Sequence, residues 1–397
     1  MAYDFHAFLD APALFTLLGL ACVGVATSTI FAGMVLVAAR HHLRTRGVEA
    51  PTFTPPLSLL KPVRGLEPEL ETFLTTFFQQ DYPTYEILFC AADEDDPGLL
   101  AARNVAARFP AIPARFLVTG EPKYISPKVH SLELMEAAAH YDILVISDSD
   151  VRVTPDYLKA VARAFQDPKV GGMTCLYRGV PSQGGIWSRL DAIGMSVEMS
   201  AGVLVANMIE GMQFALGPTM AFRREAIRQM GGFAITAAYH SDDFVLGQET
   251  YRLGWKVALS HHVIDHMVIY ADMLPSLKRQ IRWMKSTRFS RPKGHFGTAL
   301  TFGVPFGLLA LISALALGHP VLAVALLVWS VATRWVIAWA AGSKIAHDPS
   351  LFGLYLLYPI RDALGFCYWA ASYLSRQILW RGRRYNLTDG GRLQACE

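Results

Sequence analysis

The chemistry in this chain is concentrated in a few short clusters of charged residues. Asp148-Ser149-Asp150 places two carboxylates at i and i+2, where an irregular strand end lets both converge on one hard cation. The same tripeptide also suits a solvated turn, because Thr154-Pro155 beyond it is a good helix start. His240-Ser241-Asp242-Asp243-Phe244 opens a helix that runs to Arg252. Acidic residues favour a helix N-terminus whatever their function, and neighbours on a helix diverge by about 100°, so one of the two faces a site that the other does not. Asp243 is the candidate general base and Asp242 the dipole complement. Arg279 and Arg282 lie three apart, on one face of a later helix, with Trp283 beside them. Two guanidinium groups there can clamp diphosphate oxygens, and an indole can stack on an acceptor or close a pocket. The trailing Lys285, Arg288, Arg291 and Lys293 fit a basic helix lying on anionic headgroups instead. Lys61 and Lys128 can touch phosphate or pair with carboxylates. His261, His262 and His266 are close in sequence but lack carboxylate or thiolate company at ligand spacing, and no metal cluster is expected of them.

The elements that must position these groups read as one α/β unit over residues 57–295. Leu57-Ser58-Leu59-Leu60, Tyr85 to Ala91, Ala114 to Val118 and the apolar run ending at Ser147 alternate with helical stretches at 68–80, 99–109 and 128–140. Strands alternating with helices predict a mostly parallel sheet covered on both faces. In such sheets ligands sit beyond the carboxyl ends of the strands, where Lys61, Asp93 and Asp148 all fall. Residues 184–212 read as an amphipathic helical stretch, and its methionines, Met195, Met199, Met208 and Met212, as adaptable core filler.

The chain is 52% hydrophobic with only 17% charged residues and a mean hydropathy of +0.28, which points to a membrane protein with a sizeable soluble part. A net charge of +3 gives no footing for nucleic acid, and none is expected as a partner. Five cysteines without a CxxC pair suit a reducing compartment. After a short acidic start (residues 1–10), residues 11–39 are uncharged and long enough to cross a bilayer. Arg40, His41, His42, Arg44 and Arg46 follow, so the positive-inside tendency puts the start outside and the α/β unit in the cytoplasm. Residues 40–56 form a basic, proline-bearing linker, and residues 298–317 and 321–341 are two further membrane-length runs. Residues 351–380 are long enough to cross but carry Arg361-Asp362 in the middle. That fits a buried ion pair or a re-entrant, interfacial segment. A full crossing would place Arg381, Arg383 and Arg384 outside, so a non-crossing segment and a cytoplasmic tail (381–397) are expected.

Taken in order, these blocks resemble the GT-A, family-2-like glycosyltransferases, and within them the ceramide glucosyltransferase family. The blocks are Ser58-Leu59-Leu60-Lys61-Pro62-Val63-Arg64-Gly65, Gln80-Asp81-Tyr82-Pro83, Asp93-Glu94-Asp95-Asp96-Pro97, Pro127-Lys128, Asp148, Asp243 and Arg279-Gln280-Ile281-Arg282-Trp283. The resemblance implies a GT-A, Rossmann-like cytosolic domain with N- and C-terminal transmembrane helices, using a UDP-sugar donor and a membrane lipid acceptor. It implies Asp148 and Asp150 as ligands of Mg²⁺ or Mn²⁺, and Asp93 at the uracil or ribose, against its alternative as a helix cap before Pro97. Asp243, Arg279, Arg282 and Trp283 become the catalytic set, with Lys61, Lys128 and Gln280 on the substrate side. One base suffices for single displacement, so inversion at the anomeric carbon is expected. Glucose transfer from UDP-glucose to ceramide is the first expectation. Cys175-Leu176-Tyr177-Arg178-Gly179 resembles a hopanoid-associated branch, which makes N-acetylglucosamine transfer to a hopanoid polyol the alternative. A non-catalytic nucleotide-sugar-binding membrane protein is the alternative of another class, and it would have no use for a base.

Overall fold

The computed structural model describes residues 10–45, 53–350 and 353–396. Residues 1–9, most of the proline linker (46–52), residues 351–352 and Glu397 lie outside the described residues. The first half of the sheet is parallel. β1 (Leu57–Pro62), β2 (Tyr85–Ala91), β3 (Ala114–Val118) and β4 (Ile143–Ser147) stand in the order β3-β2-β1-β4, with Leu59 opposite both Ile87 and Val145. β1, β2 and β4 are covered on both faces, which is why they are near-continuous apolar runs. Their alternating side chains feed two cores: Leu57, Leu59, Ile87 and Val145 on one face, Leu60, Leu88, Leu144 and Ile146 on the other. β3 is the edge strand and is only half-buried.

Beyond β4 the strand direction reverses. β5 (Val151–Arg152), β6 (Val170–Pro181), β7 (Thr219–Arg223) and β8 (Lys256–Val268) extend the sheet as β4-β7-β6-β8-β5. β7 is antiparallel to β4 and β6, β8 runs parallel to β6, and β5 is antiparallel to β8. The carboxyl end of β4 therefore lies at a topological switch, the position where an open α/β sheet leaves a crevice.

Among the described residues, three helices are long and apolar enough to cross a membrane: Ala11–Arg44, Ile186–Glu210 and Pro320–Ile345. A rise of 1.5 Å per residue makes the first about 51 Å long, more than a hydrocarbon core requires. Its C-terminal half packs Ala32, Val35 and Ala39 against Val203 and Leu204 of the second. That second helix covers the stretch expected to be amphipathic, and 61% of its most apolar window is buried inside the protein. Residues 298–317, read as one straight run, are bent instead: Pro292–Thr301 and Val304–Ala316 meet at 51°.

Arg361 and Asp362 lie on the helix Tyr358–Ala371 and do not pair with each other. Asp362 meets Arg334 Nη1 at 2.8 Å and accepts the backbone N–H groups of Gly303 and Val304, satisfying donors at a helix start. Arg361 reaches Glu198 at 3.3 Å and donates to Gln280 Oε1 at 2.9 Å. The expected tail and the last four residues of the segment before it form a three-stranded antiparallel sheet of β9 (Gln377–Trp380), β10 (Arg383–Thr388) and β11 (Arg392–Ala395). It docks on the segment before Asp242: Leu393 N–H donates to the Ala238 carbonyl at 2.7 Å and His240 N–H to the Gly391 carbonyl at 3.1 Å.

Candidate active site

Asp148-Ser149-Asp150 is pinned through its backbone on both sides. Asp148 N–H donates to the Pro218 carbonyl at 3.2 Å, and the Asp148 carbonyl accepts from Lys61 Nζ at 2.5 Å. The Asp150 carbonyl accepts from Met267 N–H at 2.9 Å, and the next two residues pair with β8. Asp265 on β8 locks that pairing by accepting from Arg152 of β5 and Arg178 of β6. The two carboxylates are thereby held at the β4 end by backbone and not by each other. Asp148 Oδ1 meets Lys128 Nζ at 2.9 Å, and Asp150 Oδ2 stands 3.4 Å from His266 Nε2. Asp150 Oδ1 is buried with no hydrogen-bond partner.

Asp243 faces the same point. Its Oδ2 accepts from Gly217 N–H at 2.7 Å and its Oδ1 from Phe244 N–H at 2.8 Å. A Cβ on Gly217 would stand 3.1 Å from Asp243 Oδ2 and 3.8 Å from Asp148 Oδ2, so one glycine is flanked by both carboxylates. Burial, with Asp242 adding to it, pushes the Asp243 carboxyl up to about 6, against the two N–H donors and Lys128. Asp242 turns elsewhere, to Lys128 Nζ at 3.3 Å. Burial works against the Lys128 charge, but Asp148 and Asp242 outweigh it and hold its pKa well above the ordinary lysine value. Glu67, in the loop after β1, hydrogen-bonds Ser149; burial and then Asp150 raise its carboxyl. Five carboxylates thus surround two lysines, an excess that favours a bound cation. No group of three or more His, Cys, Asp or Glu forms a self-sufficient metal site among the described residues. Two aspartates, one with a free buried oxygen, fit a hard divalent ion, which they would hold between them.

The opposite wall is basic. Arg282 Nη1 donates to His240 Nε2 at 2.8 Å. A guanidinium only donates, so His240 is the neutral tautomer carrying its proton on Nδ1, toward Ser286 Oγ at 3.1 Å. Burial, with the Arg282 charge, holds His240 down to about 3. Arg282 thus has a partner that cannot neutralise it. Arg279 is different: its guanidinium is 2.5 Å from Asp191 Oδ2 and lies over the Tyr270 and Trp283 rings. Trp283 packs beside Ala192, Met195 and Tyr177 at the crevice. Asp93 is exposed at the end of β2, while the capping role falls to Asp96, whose carboxylate accepts from Gly98 and Gly65 N–H.

Two residues expected on the substrate side are turned away from it. Lys61 is 0% exposed, spends its Nζ on the Asp148 carbonyl and sits 3.8 Å from the Phe77 ring centre. Burial lowers its pKa to about 7, although Asp148, Asp150 and Glu67 pull the other way. Gln280 is buried between Asp191 Oδ1 and Arg361, at 2.8 and 2.9 Å. Both position other groups and are not open to a ligand. Lys128 takes the carboxylate-pairing alternative. The three histidines of β8 separate: His261 stacks on His42, His262 meets Asp156, and His266 meets Asp150.

Residues 23–393 match the profile of Glycosyl transferase family 21. The chain belongs to that family. It is a membrane glycosyltransferase with a GT-A-like sheet. It is 25% identical to ceramide glucosyltransferase 1 of Caenorhabditis elegans over 354 residues, covering 88% of this chain and 75% of the relative. A ceramide glucosyltransferase of Komagataella phaffii is 38% identical over 101 residues, 24% of this chain and 20% of that one. The fold is shared with a mannosyltransferase from Pyrobaculum calidifontis solved with GDP-mannose and Mn²⁺, at a TM-score of 0.54 and 20% identity, over 89% of this chain and 98% of that structure. Asp191, Glu67, His240 and His266 are absent from the sequence-derived site. Asp191 carried a signal, being with Glu198 one of two carboxylates inside an apolar stretch. Glu67 and His266 carried none, because only the folded loop and strand bring them to Asp150.

Proposed function

We propose that this enzyme is an inverting hexosyltransferase that moves glucose from UDP-glucose to the primary hydroxyl of ceramide at the cytoplasmic membrane surface. The observation that carries the reading is Asp243. It is a buried carboxylate aimed at the metal-binding pair, with a pKa raised toward neutrality yet low enough to leave it ionised at pH 7. The ceramide glucosyltransferases matched along most of this chain support the substrate assignment.

In this reading Asp93 binds the nucleoside. Asp148 and Asp150 hold Mg²⁺ or Mn²⁺, which when bound neutralises charge on the departing diphosphate. Arg282, oriented by neutral His240, faces the same oxygens. Asp243 takes the proton from the acceptor hydroxyl as that oxygen attacks the anomeric carbon opposite the leaving UDP. General-base assistance of this kind contributes roughly 10²- to 10⁴-fold. Trp283 lines the acceptor side, and Arg279 supports Trp283 from behind. The basic residues closing the first apolar helix, Arg40, His41, His42 and Arg44, support a cytoplasmic side for residues 57–295. The helix Tyr358–Ala371 stays on that side.

The test is mass spectrometry of lipids after incubating the purified protein with UDP-glucose and ceramide, with and without EDTA. Glucosylceramide that EDTA abolishes and Mg²⁺ or Mn²⁺ restores is expected. Glucosylceramide made equally well in EDTA overturns the metal role of Asp148 and Asp150. Transfer only from UDP-N-acetylglucosamine to a hopanoid overturns the substrate assignment.

A further inference from the structure

The C-terminal three-stranded sheet has no place in the chemistry above, yet it is docked against the loop that carries Asp242 and Asp243. Its β9–β10 hairpin turns at Arg381-Gly382, with Arg381 at φ +51°, the left-handed region that favours glycine. Holding a long cationic side chain there costs free energy, and such strain clusters at ligand sites. Trp380 packs 5.7 Å from the His240 ring, and the Arg381 guanidinium lies 5.3 Å from the Trp380 ring centre. The hairpin tip is therefore seated on the same histidine that orients Arg282.

Arg64 approaches from the other side. It ends the β1 strand loop, one residue before Gly65, whose N–H is fixed by Asp96 at 2.9 Å. Arg64 and Arg381 both carry exposed side chains, and partial burial, then the Arg64 charge, lowers the Arg381 pKa. Asp242 is the carboxylate acting on Arg381, but it is already engaged by Lys128. Neither Arg64 nor Arg381 forms an ion pair among the described residues, and Arg282 has only a neutral imidazole. Three guanidinium groups with no ion pair of their own among the described residues, beside a carboxylate-lined crevice, make a site for a multiply charged anion.

We propose that Arg64 and Arg381 close over the diphosphate of the donor together with Arg282, making the C-terminal sheet part of the nucleotide-sugar site. The inference rests on the donor reading given above. It also explains why the hairpin carries arginine where glycine would be unstrained.

Calorimetric titration of the full-length protein with UDP and with UMP, in Mg²⁺, tests it. Arg381→Gly suits the test because glycine adopts the observed φ freely, and Arg64→Ala is an independent second variant. Each loses charge-assisted hydrogen bonds, so UDP is expected to bind about 10- to 100-fold more weakly. UMP, which lacks the second phosphate, is expected to change by less than about threefold. UDP binding at the wild-type affinity in both variants overturns the clamp. Equal losses for UDP and UMP also overturn it, because the diphosphate would then not be what the arginines hold. A wild-type protein that binds neither nucleotide overturns the donor reading itself.

Discussion

Asp243 combines two opposing influences: burial and Asp242 favour its protonated form, and two backbone N–H groups with Lys128 favour the ionised one. The balance near 6 sets a pH dependence. The base works only when ionised, so kcat/KM should fall as pH drops through about 6, with a limiting slope of one, and be level above it. The facing charges on the packed elements are Asp242, Lys128 and Asp148. Asp243→Asn keeps shape and removes the base. Turnover should drop about 10²- to 10⁴-fold while UDP affinity stays near wild type. The placement of Asp148 and Asp150 beyond a strand end and of Asp243 at a helix start was legible in the sequence, because strand ends and helix starts announce themselves by composition. The directions of Lys61 and Gln280 were not. Both sit on the right elements, and only packing decides that one meets a carbonyl and the other Asp191.

At the scale of elements, the helix Met273–Ser290 brings two arginines to the crevice by different routes. Arg282 is held by His240, and Arg279 by Asp191 on the membrane-length helix Ile186–Glu210. Asp191 also holds Gln280, which in turn meets Arg361. Asp191→Ala leaves the Arg279 charge buried and unpaired, a change that costs about 3–5 kcal/mol when a buried pair is broken. A fall in the thermal midpoint, together with turnover reduced at least about 10-fold, is the expected result. Asp191→Asn, which can still accept from Gln280, should fall between Ala and wild type on both measures. The parallel strands were legible because burial on both faces leaves long apolar runs. The small C-terminal sheet was not. Its strands are four to six residues long and mostly exposed outside the alternate positions of Ile378, Tyr385, Leu387 and Leu393. With Arg381, Arg383 and Arg384 at the turn, they read as a basic tail.

Over the whole molecule, buried charges join the membrane helices to the catalytic unit. Arg334 and Asp362 are 1% and 2% exposed and tie the helix Pro320–Ile337 to Tyr358–Ala371, while Arg361 and Glu198 tie Tyr358–Ala371 to Ile186–Glu210. Adjacent helical residues point about 100° apart, so Arg361 and Asp362 serve two neighbours instead of each other. Asp362→Ala should destabilise the protein by about 3–5 kcal/mol, read as lost folded yield in detergent, whereas the double replacement Arg334→Met with Asp362→Leu should recover much of it. The apolar runs at 11–39 and 321–341 were legible in hydropathy, but the 51° bend was not read, although Gly303 and Pro305 mark the break at which Asp362 caps the backbone of Gly303 and Val304. In the proposed single displacement Asp243 and a metal-held diphosphate would act on opposite faces of the sugar, so the decisive measurement is the anomeric configuration of the product. Proton NMR of the lipid formed from UDP-glucose, in which glucose is α-linked, should show β-glucosylceramide. An α-linked product would contradict the account.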